Sequence, residues 1–493
     1  MADDLALLIP EIIVLLTIVF ALVAEMLRLP RIALTVALAG LLLATGMTLP
    51  LLGADTSIFS GTYRIDALSV WAKLILLPAA ALSILLARSE LGGSDREGTV
   101  YVLVCLVTLG SLVLASAGDT MLLVLGILLS GLGSFALVAY PRDDAATEAA
   151  MKFFVFASVT GAIMIFGLSY WFGGTGSTLL NELSRLETKP VVAAVGLIAV
   201  VVGLGYKASL VPFHFWAPDA YEGAPVSIAA YMSVVPKIGA IFALAQVVRD
   251  LPVATDWPLV IAVISVLTMT YGYLAALVQS NIVRLLAYSS IAQAGYFLLG
   301  IVAVGASPLA FESMIVFAAA YAAMNLGAFA VVMRIGRTLD TFSGVGRNNI
   351  ALGVAMVVFL LSLAGIPPLA GFVGKFLLFG ASIDAGFTWL TVVAILNSVL
   401  SLAVYLRIVV AMYQQRDDTA APTPPVSVPA PMPLVKLVWI IAFVFTLGIG
   451  LAAQVLLGQL DHRSPPADQA SNTRGARAMA PGYSLRYAVA AVK

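Results

Sequence analysis

Four lysines lie inside segments otherwise too apolar to hold a charge: Lys73, Lys207, Lys237 and Lys375. A charged lysine at the centre of a membrane helix costs about 2.5–3.5 kcal/mol on insertion scales. Apolar surroundings disfavour the protonated form, so such a group can load and release a proton at modest cost. That chemistry suits a proton relay. Lys237, in SVVPKIGAIFAL, stands about eleven residues from either end of its segment, where snorkelling cannot rescue it. Lys375, in GFVGKFLLF, follows a Gly-Ile-Pro-Pro break whose freed carbonyls can hold its proton. Lys207, in GLGYKASLVPFHFW, comes just before a second break. Lys73 is only about six residues into its segment and is expected to snorkel to the interface. For each, the competing reading is a structural lysine paired with a carbonyl or an acid.

Acids are scarcer. Glu11 and Glu25 fall near the ends of the first apolar run and are expected at the interface. Asp66 is placed to cap a helix. His214, Asp219 and Glu222 cluster in HFWAPDAYEGAP, a possible proton entry, since imidazole titrates near pH 6.5. The competing reading is a tight polar turn. No phosphate loop, metal signature or nucleophile–base set appears. Cys105 is the single cysteine, and the two histidines, His214 and His462, are too few for an iron–sulfur cluster or a bis-histidine haem. No cofactor or metal is expected in this chain.

The elements that must position these groups are membrane helices. Hydrophobic residues make up 61% of the chain and charged ones 11%, against about 25% charged in soluble domains. The zero net charge offers no basic field for nucleic acid. The start, Met1-Ala2-Asp3-Asp4, reads as the approach to a first spanning helix rather than a cleaved signal peptide. Runs of about 20 apolar residues recur about fourteen times, so the expected fold is an all-α integral membrane protein. The seventh run, 190–211, meets Pro212 and Pro218, and the twelfth, 350–383, contains Pro367 and Pro368. One straight helix over the twelfth run would reach about 50 Å, against a hydrocarbon core of about 30 Å, so a single crossing by a broken helix is expected.

With the N-terminus outside, thirteen arginines and lysines fall in inward loops and four in outward ones, the last tail set aside. The positive-inside rule then puts both termini outside. Runs 7 and 12 cross in opposite directions, each fourth in a set of five, as in inverted-repeat transporters. The expected organisation is N-terminal helices (1–98), a first five-helix repeat (99–248), and a second, inverted repeat (257–413). A proline-rich loop (414–433), a last helix (434–457) and a polar tail (458–493) follow.

Three stretches make the chain recognisable: GLGYKASLVPFHFWAPDAYEGAP (203–225), SNIVRLLAYSSIAQAGYFLLG (280–300) and LSLAGIPPLAGFVGKFLLFG (361–380). Over roughly residues 5–457 it resembles subunit N of the proton-pumping NADH–quinone oxidoreductase, respiratory complex I. Subunits L and M look more like WLPDAH where this chain has WAPDAY. The resemblance implies fourteen helices, two inverted five-helix repeats, broken helices 7 and 12, and an antiporter-like fold. It implies a proton relay through Lys207, Lys237 and Lys375, as part of a translocase with no redox centre in this chain. It also implies a multi-pass location in the cell membrane. Partners would be the other complex I subunits and the bilayer, with quinone used elsewhere in the complex. An Mrp-type cation/proton antiporter and a non-conducting structural subunit are the alternative readings. One departure stands out: the family's helix-5 glutamate, in a stretch resembling LGIELISL, is Leu128 here. Lys207 then needs another acid, such as Glu25 or Glu148, or water and hydroxyls, or this unit conducts poorly.

Overall fold

A computed structural model describes residues 2–252, 255–414 and 432–452. The helices are α1 (Ala2–Leu7), α2 (Ile9–Met26), α3 (Pro30–Thr48), α4 (Ala67–Leu91), α5 (Glu97–Ala115), α6 (Thr120–Val138), α7 (Asp144–Thr175), α8 (Pro190–Ala208), α9 (Trp216–Gly223) and α10 (Val226–Val248). They continue as α11 (Trp257–Leu277), α12 (Ile282–Val302), α13 (Leu309–Ile335), α14 (Leu339–Phe342), α15 (Val345–Asn348), α16 (Ile350–Ala364), α17 (Ala370–Asp384), α18 (Thr388–Tyr413) and α19 (Pro433–Leu451). A short antiparallel hairpin, β1 (Thr56–Ile58) with β2 (Tyr63–Ile65), precedes α4. Most of the expected proline-rich loop, the end of the expected last span and the whole 458–493 tail lie outside the described residues.

Thirteen of these helices are long and apolar enough to cross a bilayer. Helix starts follow their caps: Asp66 and Ser69 exchange side-chain bonds to each other's N–H, both at 2.9 Å, at the head of α4, as expected for Asp66. Asp119, Asp143 and Asn281 cap α6, α7 and α12.

The seventh run breaks as anticipated. α8 stops at Ala208, Ser209 turns left-handed at φ 61°, and α9 resumes at Trp216. The Trp216 indole donates to the Tyr206 carbonyl at 2.8 Å, which ties the two pieces together. The twelfth run is α16 plus α17, 15 residues each. Each piece spans about 22 Å, too short alone for a core of about 30 Å, and the pair makes one broken crossing. Gly365, at φ 92°, lets the chain leave α16, a backbone state that costs other residues. The Ser362 hydroxyl then accepts the Gly371 N–H at 3.0 Å, joining α17 to the end of α16.

α10 is buried along its whole length and is held at both ends. At its start, Glu90 on α4 accepts the N–H groups of Val226 and Ser227 at 2.9 and 2.7 Å. Arg337 donates to the Glu222 and Ala224 carbonyls just before it. At its other end, Gln246 and Arg249 donate to Asp66 at 2.9 and 2.8 Å. Arg64 bonds both Gln246 and Asp250 there. These two ends, the Glu90 end and the Asp66 end, are separated by the 23 residues of α10, about 34 Å.

Candidate functional site

Lys207, Lys237 and Lys375 are all buried, and their surroundings follow one pattern. Each ammonium is held by a main-chain carbonyl and a serine hydroxyl. Lys237, on α10, donates to the carbonyl and hydroxyl of Ser290 on α12, at 3.0 and 2.5 Å. Lys375, on α17, donates to the Leu363 and Ala364 carbonyls at 3.0 and 3.1 Å and to the Ser398 hydroxyl at 3.4 Å. Those carbonyls belong to the broken end of α16, where the sequence placed free acceptors. The Lys375 ammonium also lies 4.1 Å from the centre of the Tyr296 ring. Lys207, in the last turn of α8, donates to the Ser130 carbonyl at 3.1 Å and the Ser134 hydroxyl at 3.4 Å. Among the described residues, no ion pair includes any of these three lysines.

Polar side chains on α12 stand beside two of them. Ser290 shares a hydrogen bond with Tyr321, and its neighbour Ser289 with Tyr405 at 2.6 Å. Gln293 donates to the Tyr405 hydroxyl at 3.3 Å and to the Leu363 carbonyl at 2.9 Å, the same carbonyl that holds Lys375. Ser289, Ser290 and Gln293 occupy neighbouring turns of α12. That spacing is visible in SSIAQAGY, but neutral polar residues barely disturb a hydropathy scan.

Asp219 and Glu222 come together, and His214 stands apart from them. Arg284 bridges Asp219 and Glu222 at 2.8 Å each, and Lys152 reaches Asp219 at 2.9 Å. Burial pushes the Asp219 carboxyl up, but the bonds from Lys152 and Arg284 outweigh it and hold it below its usual range. His214 packs instead against the rings of Phe215 and Tyr271, each 4.6 Å away between centres.

Four expectations need correction. Lys73 does not snorkel: it is 0% exposed, because Glu11 on α2 lies 2.9 Å from its ammonium and compensates the charge. Glu11 is accordingly buried, not interfacial. Neither substitute acid serves Lys207, since Glu148 pairs with Lys152 and Glu25 accepts from Thr99. Leu128 does not face Lys207 either. It is 52% exposed, about 200° around α6 from Ser130, and Ser130 and Ser134 carry the face that meets the lysine.

The fold and these buried lysines define a multi-span, antiporter-like membrane subunit. Residues 117–401 match the family described as "NADH:quinone oxidoreductase/Mrp antiporter, TM". NADH-quinone oxidoreductase subunit N 1 of Streptomyces griseus is 39% identical over 397 residues, covering 79% of this chain and 84% of that protein. F(420)H(2) dehydrogenase subunit N of Methanosarcina mazei is 37% identical over 478 residues, covering 91% and 95%. A chain of respiratory complex I from Thermus thermophilus superposes with a TM-score of 0.80 at 31% identity, covering 92% of this chain and 99% of that one. The chain belongs to the subunit N family of NADH–quinone oxidoreductases, within the wider antiporter-like family.

Proposed function

We propose that this chain is a proton-translocating membrane-arm subunit of a quinone-reducing respiratory complex, with Lys207, Lys237 and Lys375 as its proton relay. The observation that carries this is the shared lysine setting: buried ammonium groups, each with a carbonyl and a hydroxyl, and no fixed carboxylate to trap the charge. Ser290, which holds Lys237, is the chain neighbour of Ser289, whose bonds run through Tyr405 and Gln293 to the Leu363 carbonyl that holds Lys375; this run of polar groups supports transfer between the two lysines. Protons enter at the Glu90 end, where Asp219 and Glu222 lie, and leave at the Asp66 end. The Glu90 end faces inward and both termini outward, in keeping with the lysine and arginine excess. His214, beside the break of the seventh run, serves entry separately from the acidic pair. Electrons from NADH, or from a donor such as the one that the M. mazei relative's name specifies, reach quinone in partner subunits. No cofactor is held here. Redox events there bias the lysines through a coupling free energy between sites.

The direct test is Lys237→Met in the assembled complex, with protons moved and electrons transferred measured together. Electron transfer is expected to continue with fewer protons moved per electron pair. Undiminished pumping would remove Lys237 from the relay. A non-conducting structural subunit is the second reading, since a carbonyl and a hydroxyl would equally hold a lysine that only anchors its helix. It predicts that Lys237→Met changes nothing.

A further inference from the structure

A fourth buried lysine has no part in that relay. Lys73 and Glu11 form a sequestered ion pair at 2.9 Å, and the Tyr63 hydroxyl donates to the same Glu11 oxygen, Oε1, at 2.5 Å. Lys73 also lies 5.7 Å from the centre of the Tyr63 ring. A tether would need only this much. The other carboxylate oxygen makes the difference: Glu11 Oε2 is buried and has no hydrogen-bond partner among the described residues, and the same holds for the nearby Ser116 hydroxyl. Buried polar atoms are normally paired, and leaving one unpaired is costly. Oε2 therefore keeps an open acceptor position, while Oε1 holds the Tyr63 hydroxyl and the ion pair with Lys73. Burial and the Glu11 charge push the Tyr63 phenol up, which keeps it a neutral donor.

The position is also distinctive. Lys73 is in the second turn of α4, at the Asp66 end, where the relay must discharge. Tyr63 is joined through β2 to Arg64, which bonds Gln246 and Asp250. Asp66 and Arg249 complete that charged cluster, and Arg249 is partly exposed. A polar neighbourhood thus runs from the buried pair to the surface.

We propose that Glu11, with Lys73 and Tyr63, is a second proton-holding site, near the Asp66 end and separate from the three-lysine relay. A proton arriving from the bundle binds Glu11 Oε2, and the carboxylate becomes the neutral acid. Lys73 keeps its protons. Release toward the Arg64–Asp66–Arg249 cluster restores the carboxylate. The inference rests on the reading that this subunit moves protons.

The test uses the assembled complex in sealed vesicles. Glu11→Gln, a Glu11→Leu/Lys73→Met double variant and Lys237→Met are compared for electron transfer, protons moved per electron pair and infrared difference spectra. The expected result is a protonated-carboxyl band during turnover that is lost in Glu11→Gln, with loss of proton movement while electrons still flow. The double variant replaces a buried ion pair with apolar side chains, a change that often preserves stability. If it pumps like the parent, the pair is only a tether and the proposal falls. Glu11→Asp keeps a carboxyl and should keep the band at a shifted frequency. If the other Glu11 variants fail to assemble and Glu11→Asp shifts no band, the proposal falls as well. Pumping lost in Lys237→Met but kept in Glu11→Gln overturns this inference alone. The reverse pattern overturns the relay assignment of Lys237 and leaves the Glu11 site standing.

Discussion

Lys207 sharpens what one residue can decide. Its usual acidic partner is missing from the sequence, yet the exchanged position, Leu128, points away from it and is half exposed. A carboxylate placed at Leu128 would meet lipid or a neighbouring subunit, not this lysine. Leu128→Glu is therefore expected to leave this chain's share of the pumping stoichiometry unchanged. Ser134→Asp is expected to alter it, because Ser134 lies 3.4 Å from the ammonium and a carboxylate there would hold the charge. Proton-to-electron ratios of the two variants, measured side by side, check this. A larger effect from Leu128→Glu would mean that an acid on the outer face of α6, not the Ser130–Ser134 face, governs Lys207. At this scale the burial of Lys207, Lys237 and Lys375 was legible, since depth in an apolar run needs no tertiary information. It was illegible for Lys73. Counting residues from the segment end favoured snorkelling, and only folding could bring Glu11, 62 positions away, against it.

The two broken crossings were readable as elements, because proline and an overlong run both signal a break. Less readable was how each break is held. Gly365 shows the constraint: its φ of 92° disfavours any side chain, and a Cβ there would stand 3.0 Å from the Lys375 Cδ. Gly365→Ala is expected to cost about 1–2 kcal/mol in backbone strain and to push Lys375 off its carbonyls. Thermal unfolding of the assembled complex reads the first effect and proton movement the second. A variant with parent stability and parent pumping would show that the break tolerates a side chain. The two breaks are not copies. Lys207 comes before its break and bonds Ser130 and Ser134 on α6, whereas Lys375 comes after its own and bonds the carbonyls freed there.

Across the whole molecule, charge is concentrated at the two ends of α10, and the polar groups between them are mostly neutral. The Asp219 network at the Glu90 end joins α7, α9 and α12. Its carboxyl is held below the usual range, so its stabilisation is complete above the unfolded value near 3.9 and fades as the pH falls through the folded one. Asp219→Asn is expected to lower the thermal midpoint at neutral pH, and the gap to the parent should close in acid. A gap that stayed constant with pH would assign the loss to packing. The sequence placed Asp219 and Glu222 in one polar cluster, but not the cations that bind them. Lys152 and Arg284 carry no local signal of this role, because their partners come from distant segments.

The Gly-Ile-Pro-Pro turn has one more consequence, which follows from counting along the helix ladder. A continuous helix would return the N–H of residue 367 to the carbonyl of Leu363, and that of residue 368 to Ala364. Both residues are prolines and have no N–H to give. The two acceptors that hold Lys375 are therefore left without their α-helical donors by covalent structure. Continuing α16 as a regular α-helix would not take them from the lysine, whose remaining rivals include the Gln293 amide, already bonded to the Leu363 carbonyl.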